Sequence, residues 1–195
     1  MYSREGLNLE KNGGAEETME TDDLRRNFLR QGSAVVACVL GSIGAAACRP
    51  EKPLPALVLP DFSLRTPNGE IHTQAHYANQ TLLLNFWATW CEPCRREMPA
   101  LEGLHTTLRA KGLVVVGVSV DQDTNLVREF LMRQRVTFAV LLDPLQSLSK
   151  SGLNVTSFPT TLLVTRGGHV VDRIVGAQEW LETSIQQNVA NRLGL

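Results

Sequence analysis

The sequence predicts an α/β sandwich: a mixed central β-sheet with helices on both faces. Three observations carry that prediction. Thr81–Trp87 (TLLLNFW), Leu113–Val120 (LVVVGVSV) and Phe138–Leu142 (FAVLL) are apolar runs without polar alternation, as strands buried on both sheet faces require. Between them lie segments whose apolar residues recur three and four apart, the period of a one-sided helix. Two further strand-like runs, Thr160–Thr165 and His169–Val175, meet across Gly167-Gly168, a hairpin signal. Alternating strands and helices closed by a hairpin and a helix give a layered architecture. Crossovers between its parallel strands should be right-handed.

Taken in order, Asp61–Leu64, the turn Thr66-Pro67-Asn68-Gly69 and Glu70–Thr73 form an extra N-terminal hairpin, with Asn-Gly supplying positive φ angles. A short polar helix covers Gln74–Asn79, and Thr81–Trp87 is the first buried strand. Glu92–Lys111 reads as a helix with Met98, Leu101, Leu104, His105 and Leu108 on one stripe. Pro99 inside it removes the N–H that would bond the Arg95 carbonyl, which predicts a kink. Gly112 ends that helix. Thr124–Gln134 is helical, with Leu126, Val127, Phe130 and Leu131 on one face, and a short helix is expected near Gln146–Ser151. The last helix is predicted over Glu179–Arg192 from Leu181, Ile185 and Val189, four apart.

The 195 residues carry 19 basic and 20 acidic side chains, net −1, and are 43% hydrophobic. This excludes an acidic disordered chain and gives no basic excess for neutralising phosphates, so no nucleic-acid partner is expected. Residues 1–48 read as an address: a polar n-region extension (1–23) and then a signal peptide. Arg25, Arg26 and Arg30 precede a weakly apolar core, in which eleven of the sixteen residues Gly32–Ala47 are Gly, Ala, Ser or Cys. Arg25-Arg26-Asn27-Phe28-Leu29-Arg30 resembles the twin-arginine export motif, with an ordinary secretory signal as the alternative. Ala45-Ala46-Ala47-Cys48 resembles a lipobox, making Cys48 a candidate for lipidation against simple cleavage. Arg49–Pro60, with four prolines in twelve residues, reads as an extended tether, and 61–195 as the folded domain.

The chemistry lies at Trp90-Cys91-Glu92-Pro93-Cys94. Structural zinc needs four ligands, yet beyond the leader there is no other cysteine but Cys48, and His72, His76, His105 and His169 are scattered. Attached haem needs a histidine after the second cysteine, where Arg95 stands. A redox dithiol fits: the pair follows a buried strand and opens a helix, whose N-terminus favours a thiolate on Cys91. The two-residue spacer returns Cys94 to Cys91 within one turn, and Pro93 suits the first helical turn. A static disulfide is the bland reading, but so small a loop removes little unfolded-state entropy.

Asn85-Phe86-Trp87-Ala88-Thr89-Trp90-Cys91-Glu92-Pro93-Cys94-Arg95-Arg96-Glu97-Met98-Pro99 resembles the active-site segment of thioredoxin-fold proteins of the TlpA/ResA/DsbE group, related to AhpC/TSA redoxins. Val116–Asp121 and Ser157-Phe158-Pro159-Thr160-Thr161 match as well. The resemblance implies a thioredoxin-like three-layer sandwich with Cys91 and Cys94 as the redox-active disulfide. It implies a cis Pro159 that faces the dithiol and presents backbone to an extended substrate, and a Glu97 that tunes the cysteines. Thioredoxin has a buried Asp where Asn85 stands here, so Glu97 is the available carboxylate. Its bland alternative is a solvated helix residue paired with an arginine. Trp90, Glu92, Pro93, Phe158 and Pro159 form the expected substrate-binding rim. Trp87 reads as packing, and Asp121 as a loop cap.

The function so implied is an exported, periplasmic protein disulfide oxidoreductase that reduces partner proteins, without metal or other cofactor. Implied substrates are the haem-binding cysteines of apocytochrome c or the copper-site cysteines of cytochrome oxidase. The implied electron donor is a membrane thiol transporter of the DsbD/CcdA type, and the membrane is met only through the signal or a lipid anchor. Two other readings use the same cysteines. A Cu(I) metallochaperone would exploit thiolates that suit that ion. A thiol peroxidase would want Thr three residues before its reactive cysteine, where Ala88 stands.

Overall fold

The computed structural model describes residues 57–195, so the signal segment, Cys48 and most of the tether lie outside the described residues. Seven strands form one sheet: β1 (Ser63–Arg65), β2 (Ile71–Thr73), β3 (Thr81–Trp87), β4 (Leu113–Ser119), β5 (Ala139–Leu142), β6 (Thr160–Val164) and β7 (Val170–Val175). Their order is β2-β1-β5-β4-β3-β6-β7. β3 pairs parallel with β4 and β4 with β5, while β6 lies antiparallel against β3 on its other side. The apolar run TLLLNFW therefore becomes an interior strand, buried at all seven positions.

Alternation along β3 splits the core in two. Leu83 and Trp87 face a cluster with Met98, Leu101, Leu104 and Leu108 of α1 (Glu92–Leu108), Val127 of α2 (Thr124–Gln134) and Val189 and Leu193 of α3 (Thr183–Leu193). Leu82, Leu84 and Phe86 face the other cluster, covered by Leu59, Tyr77, Leu148, Leu153 and Val155. The three α-helices thus share one face. The second face is covered by a 3₁₀ turn (Gln74–Tyr77), a π-helical turn (Ser147–Gly152) and the residues around them. Connectivity explains the asymmetry. The β3–α1–β4 and β4–α2–β5 crossovers step the same way across the sheet, so one handedness puts both helices on one side. After β5 the chain must return past β3 to reach β6, and it does so across the opposite face.

Several boundaries differ from the sequence expectation. α1 runs unbroken through Pro99 and ends at Leu108, tightening to a 3₁₀ turn (Arg109–Lys111) before Gly112 at φ 96°. The short helix near Gln146–Ser151 is a π turn, because buried Asp143 accepts the N–H groups of Ser147, Leu148 and Ser149 at 2.8–3.2 Å. α3 starts four residues late. Leu181 is exposed, while Trp180, one residue earlier, is fully buried in a turn. At the other end, the last tether residues are docked: Leu59 N–H bonds Gly168 O at 2.8 Å, Val170 N–H bonds Leu57 O at 2.7 Å, and Leu59 is buried. Gly117 in β4 has a packing reason, since a Cβ there would sit 3.0 Å from Trp87 Nε1 and 3.2 Å from Phe138.

Candidate active site

The parallel strands β3 and β4 and the antiparallel β6 all reach one edge of the sheet. β3 and β4 end there, and β6 begins there, with Thr160 opposite Phe86. Cys91 leaves β3 through a three-residue loop and occupies the N-cap of α1, with extended backbone at φ −86°, ψ 103°. Its sulfur accepts the Cys94 N–H at 3.4 Å, which satisfies one orphan donor of the first turn, and its carbonyl takes the Arg95 N–H at 3.1 Å, the first bond of the helix ladder. Pro93, in that first turn, has no N–H to satisfy. Cys91 and Cys94 are joined by a disulfide with Cα atoms 5.3 Å apart. Cys91 is 6% exposed and Cys94 not at all, so any partner reaches Cys91 first.

The loop before Cys91 is pinned. Asp121, buried just beyond β4, accepts the Thr89 N–H at 2.9 Å, the Thr89 hydroxyl at 2.6 Å and the Ser119 hydroxyl at 2.7 Å. The loop-cap reading of Asp121 therefore has a definite object, the backbone two residues before the cysteine. Trp87 is fully buried, with its ring 5.1 Å from Phe130, as its packing role requires.

Glu97 is not a solvated helix residue. One turn beyond Cys94, it is only 4% exposed and makes no ion pair among the described residues. Three donors converge on its carboxyl. Asn85 Nδ2 donates to Oε1 at 2.8 Å, while the Gln178 N–H at 3.1 Å and Trp180 Nε1–H at 3.2 Å donate to Oε2. Asn85 Nδ2 also donates to Thr161 Oγ1 at 3.1 Å, which ties β3 to β6 beneath the site. Burial pushes the Glu97 carboxyl above the usual carboxylate range, and the three donors, Asn85 foremost, pull the other way. The arginine pairing of the solvated alternative does not form: Arg95 and Arg96 pair with exposed Glu92 at 3.2 and 3.5 Å. Glu92 is thus a surface acid on the first turn, shared between two cations.

Across the edge, the Phe158–Pro159 peptide bond is cis, as the resemblance implied. Pro159 O accepts the Gly176 N–H at 2.9 Å, and Phe158 meets the ring of Trp90 edge-on, centroids 5.9 Å apart. Trp90 is 65% exposed, a large apolar surface beside the disulfide. The structure therefore brings Trp90, Cys91, Glu92, Pro93, Cys94 and Glu97 to one end of α1, with Phe158 joined to them through Trp90. Sequence reasoning missed Trp180 and Gln178 as partners of Glu97, and gave Asn85 no contact. The one available signal was Asn85 itself, a polar residue inside an apolar strand on the Leu83 and Trp87 side.

The AhpC/TSA family model matches residues 56–173, more than half of the chain. The chain belongs to the AhpC/TSA family. Thioredoxin-like protein YneN of Bacillus subtilis is 41% identical over 124 residues, 60% of this chain and 69% of that one. Thiol-disulfide oxidoreductase ResA of the same organism is 31% identical over 155 residues, 78% of this chain and 86% of ResA. Among solved structures, a thiol:disulfide interchange protein of the DsbE type from Chlorobium tepidum superposes with a TM-score of 0.65 at 29% identity, covering 71% of this chain and 97% of that one. With a thioredoxin-like fold and a bonded CxxC, this AhpC/TSA member is a thiol–disulfide oxidoreductase.

Proposed function

We propose that the protein is exported and works as a reductant of disulfides in partner proteins. The carrying observation is the asymmetry of the pair: Cys91 at the helix N-cap with the residual exposure, Cys94 sealed behind it. The Cys91 thiolate attacks one sulfur of a partner disulfide. That S–S bond breaks, and the departing sulfur leaves as a thiolate that takes a proton. Cys94, deprotonated as it attacks, then displaces the partner from Cys91. The partner gains two electrons and two protons, and the Cys91–Cys94 disulfide remains. Glu97, buried below, holds or releases a proton as the thiols change state. Pro159, Phe158 and Trp90 form the rim against which an extended substrate lies, and Glu92 and Pro93 border it.

Renewal of the dithiol by a membrane thiol transporter of the DsbD/CcdA type fits an exported reductant. So do apocytochrome c and cytochrome oxidase copper-site cysteines as its substrates. The arginine-led leader of residues 25–48 supports export to the periplasm, with Cys48 as the candidate lipid anchor. A Cys94→Ala variant tests the central step, because without the resolving thiol the mixed disulfide should accumulate. Partners captured on Cys91 and released by reductant support the proposal, and capture unchanged by also replacing Cys91 refutes it.

A further inference from the structure

Trp180 and Trp87 are the two largest fully buried side chains among the described residues, and the sulfur chemistry leaves Trp180 unused. It is fully buried, lies outside any helix or strand, and sits 83 positions from the glutamate it touches. The segment carrying it is held by more than one bond. Gln178 N–H reaches the same carboxyl oxygen, Trp180 O accepts Gln186 Nε2–H at 3.1 Å, and α3 begins three residues later. A turn that could have continued into α3 is instead spent placing an indole N–H against a buried acid. On the far side Asn85 holds the second oxygen, so the carboxyl is clamped between β3 and the β7–α3 connection. A packing role alone would explain the buried ring but not the direction of its N–H.

We propose that Trp180 is a positioning residue for Glu97: its indole N–H fixes one carboxyl oxygen under the dithiol and so sets the pH range in which Cys91 becomes a nucleophile. The inference rests on the reading that Glu97 governs the cysteines. The charged groups around the clamp do not supply this function. On α1, Arg95 and Arg96 turn to exposed Glu92, and His105 lies two turns further along; Glu179 and Glu182 on the Trp180 segment are exposed. Asp121, beyond β4, is occupied by Thr89 and Ser119. Among the described residues no arginine, lysine or histidine comes within ion-pair distance of Glu97. Cys94, three residues back on the same helix, is bonded to Cys91, so neutral donors are the means of holding the charge of Glu97.

The test follows the Glu97 carboxyl directly in the full chain, by its infrared carbonyl band, identified as the band lost in Glu97→Gln. Trp180→Phe removes the donor, and the titration midpoint of that band should rise by about one pH unit or more. Because Phe also leaves space in the core, a second chain carries benzothienylalanine at position 180, which keeps the ring's shape and lacks the N–H. It should show the same rise. An unmoved midpoint in the isosteric variant overturns the proposal. Alkylation of Cys91 against pH, read by mass spectrometry, separates the two layers of the argument. Faster alkylation over the pH interval in which the variant keeps Glu97 protonated, abolished when Glu97→Gln is added, supports both. A shifted Glu97 band with an alkylation profile unmoved in both Trp180→Phe and Glu97→Gln leaves the clamp standing and refutes the control of the dithiol by Glu97.

Discussion

Replacing Glu97 by Gln should make the oxidised protein's stability less dependent on pH, in a direction the structure dictates. Burial raises the Glu97 carboxyl above its ordinary value, so the folded chain keeps that proton to a higher pH than the unfolded chain does. Below about pH 4 both states are protonated and the site adds no pH dependence. As pH rises, the unfolded chain releases the proton first, and folded stability falls. One proton limits the slope to about 1.4 kcal/mol per pH unit. The decline stops once pH passes the folded value, and the cost then stays constant. A glutamine has no such proton, so stability of the variant minus that of the wild type should climb across this interval and then level off. The offset of that curve is a separate matter. One amide oxygen cannot serve both Asn85 on one side and Gln178 with Trp180 on the other, which costs the variant about 1–3 kcal/mol at every pH. Urea denaturation of both oxidised chains from about pH 4 to about pH 8 gives the difference, with all shared titrations subtracted. A flat difference would falsify the burial argument, since a carboxyl open to water would titrate alike in both states.

Other consequences are more local. Near neutral pH, alkylation of the reduced protein should modify Cys91 well before Cys94, since Cys94 is fully buried; the reverse order, seen by peptide mapping, would assign the nucleophile to the wrong cysteine. Asp121→Ala leaves the Thr89 and Ser119 donors without their acceptor and should cost about 2–3 kcal/mol in denaturation. It should also slow disulfide exchange by loosening the loop before Cys91. Gly117→Ala forces a methyl against Trp87, Phe138 and Val140 and should cost about 1–3 kcal/mol; an unchanged Tm would show that β4 has slack there. A chain beginning at Ala56 should keep full dithiol activity, whereas one beginning at Asp61 loses the Leu59 burial and two backbone bonds. The shorter chain should be less stable by about 2–4 kcal/mol.

The sheet was legible because its central strands are buried on both faces, so their apolar runs in β3, β4 and β5 leave no other reading. The CxxC was legible because its spacing and its place between strand and helix are local facts. What escaped is tertiary. Leu181 shares the four-residue spacing of Ile185 and Val189, and periodicity alone extends the helix back past it. A buried acid 83 residues earlier claims Trp180 and keeps that stretch a turn. The π turn likewise depends on Asp143, whose carboxylate meets three N–H groups that no repeat of apolar residues encodes. Glu97 itself could be read from sequence as either surface or site. The burial that decides between them is supplied by β3, the 178–180 turn and α1 together.

The antiparallel insertion of β6 beside β3 has a consequence for how the enzyme comes into being. β3 emerges from the ribosome some seventy residues before the strand that covers its second edge. Until β6 arrives, a mostly apolar strand has one unpaired side, the kind of edge that recruits other chains. Over the same interval Cys91 and Cys94 already exist, yet Pro159, Thr161 and Trp180 do not. The reactive pair is therefore present before its rim and before the clamp on Glu97. A nascent chain stalled before Phe158 should be prone both to aggregate and to form mixed disulfides, and residues 158–195 convert that liability into a controlled redox centre.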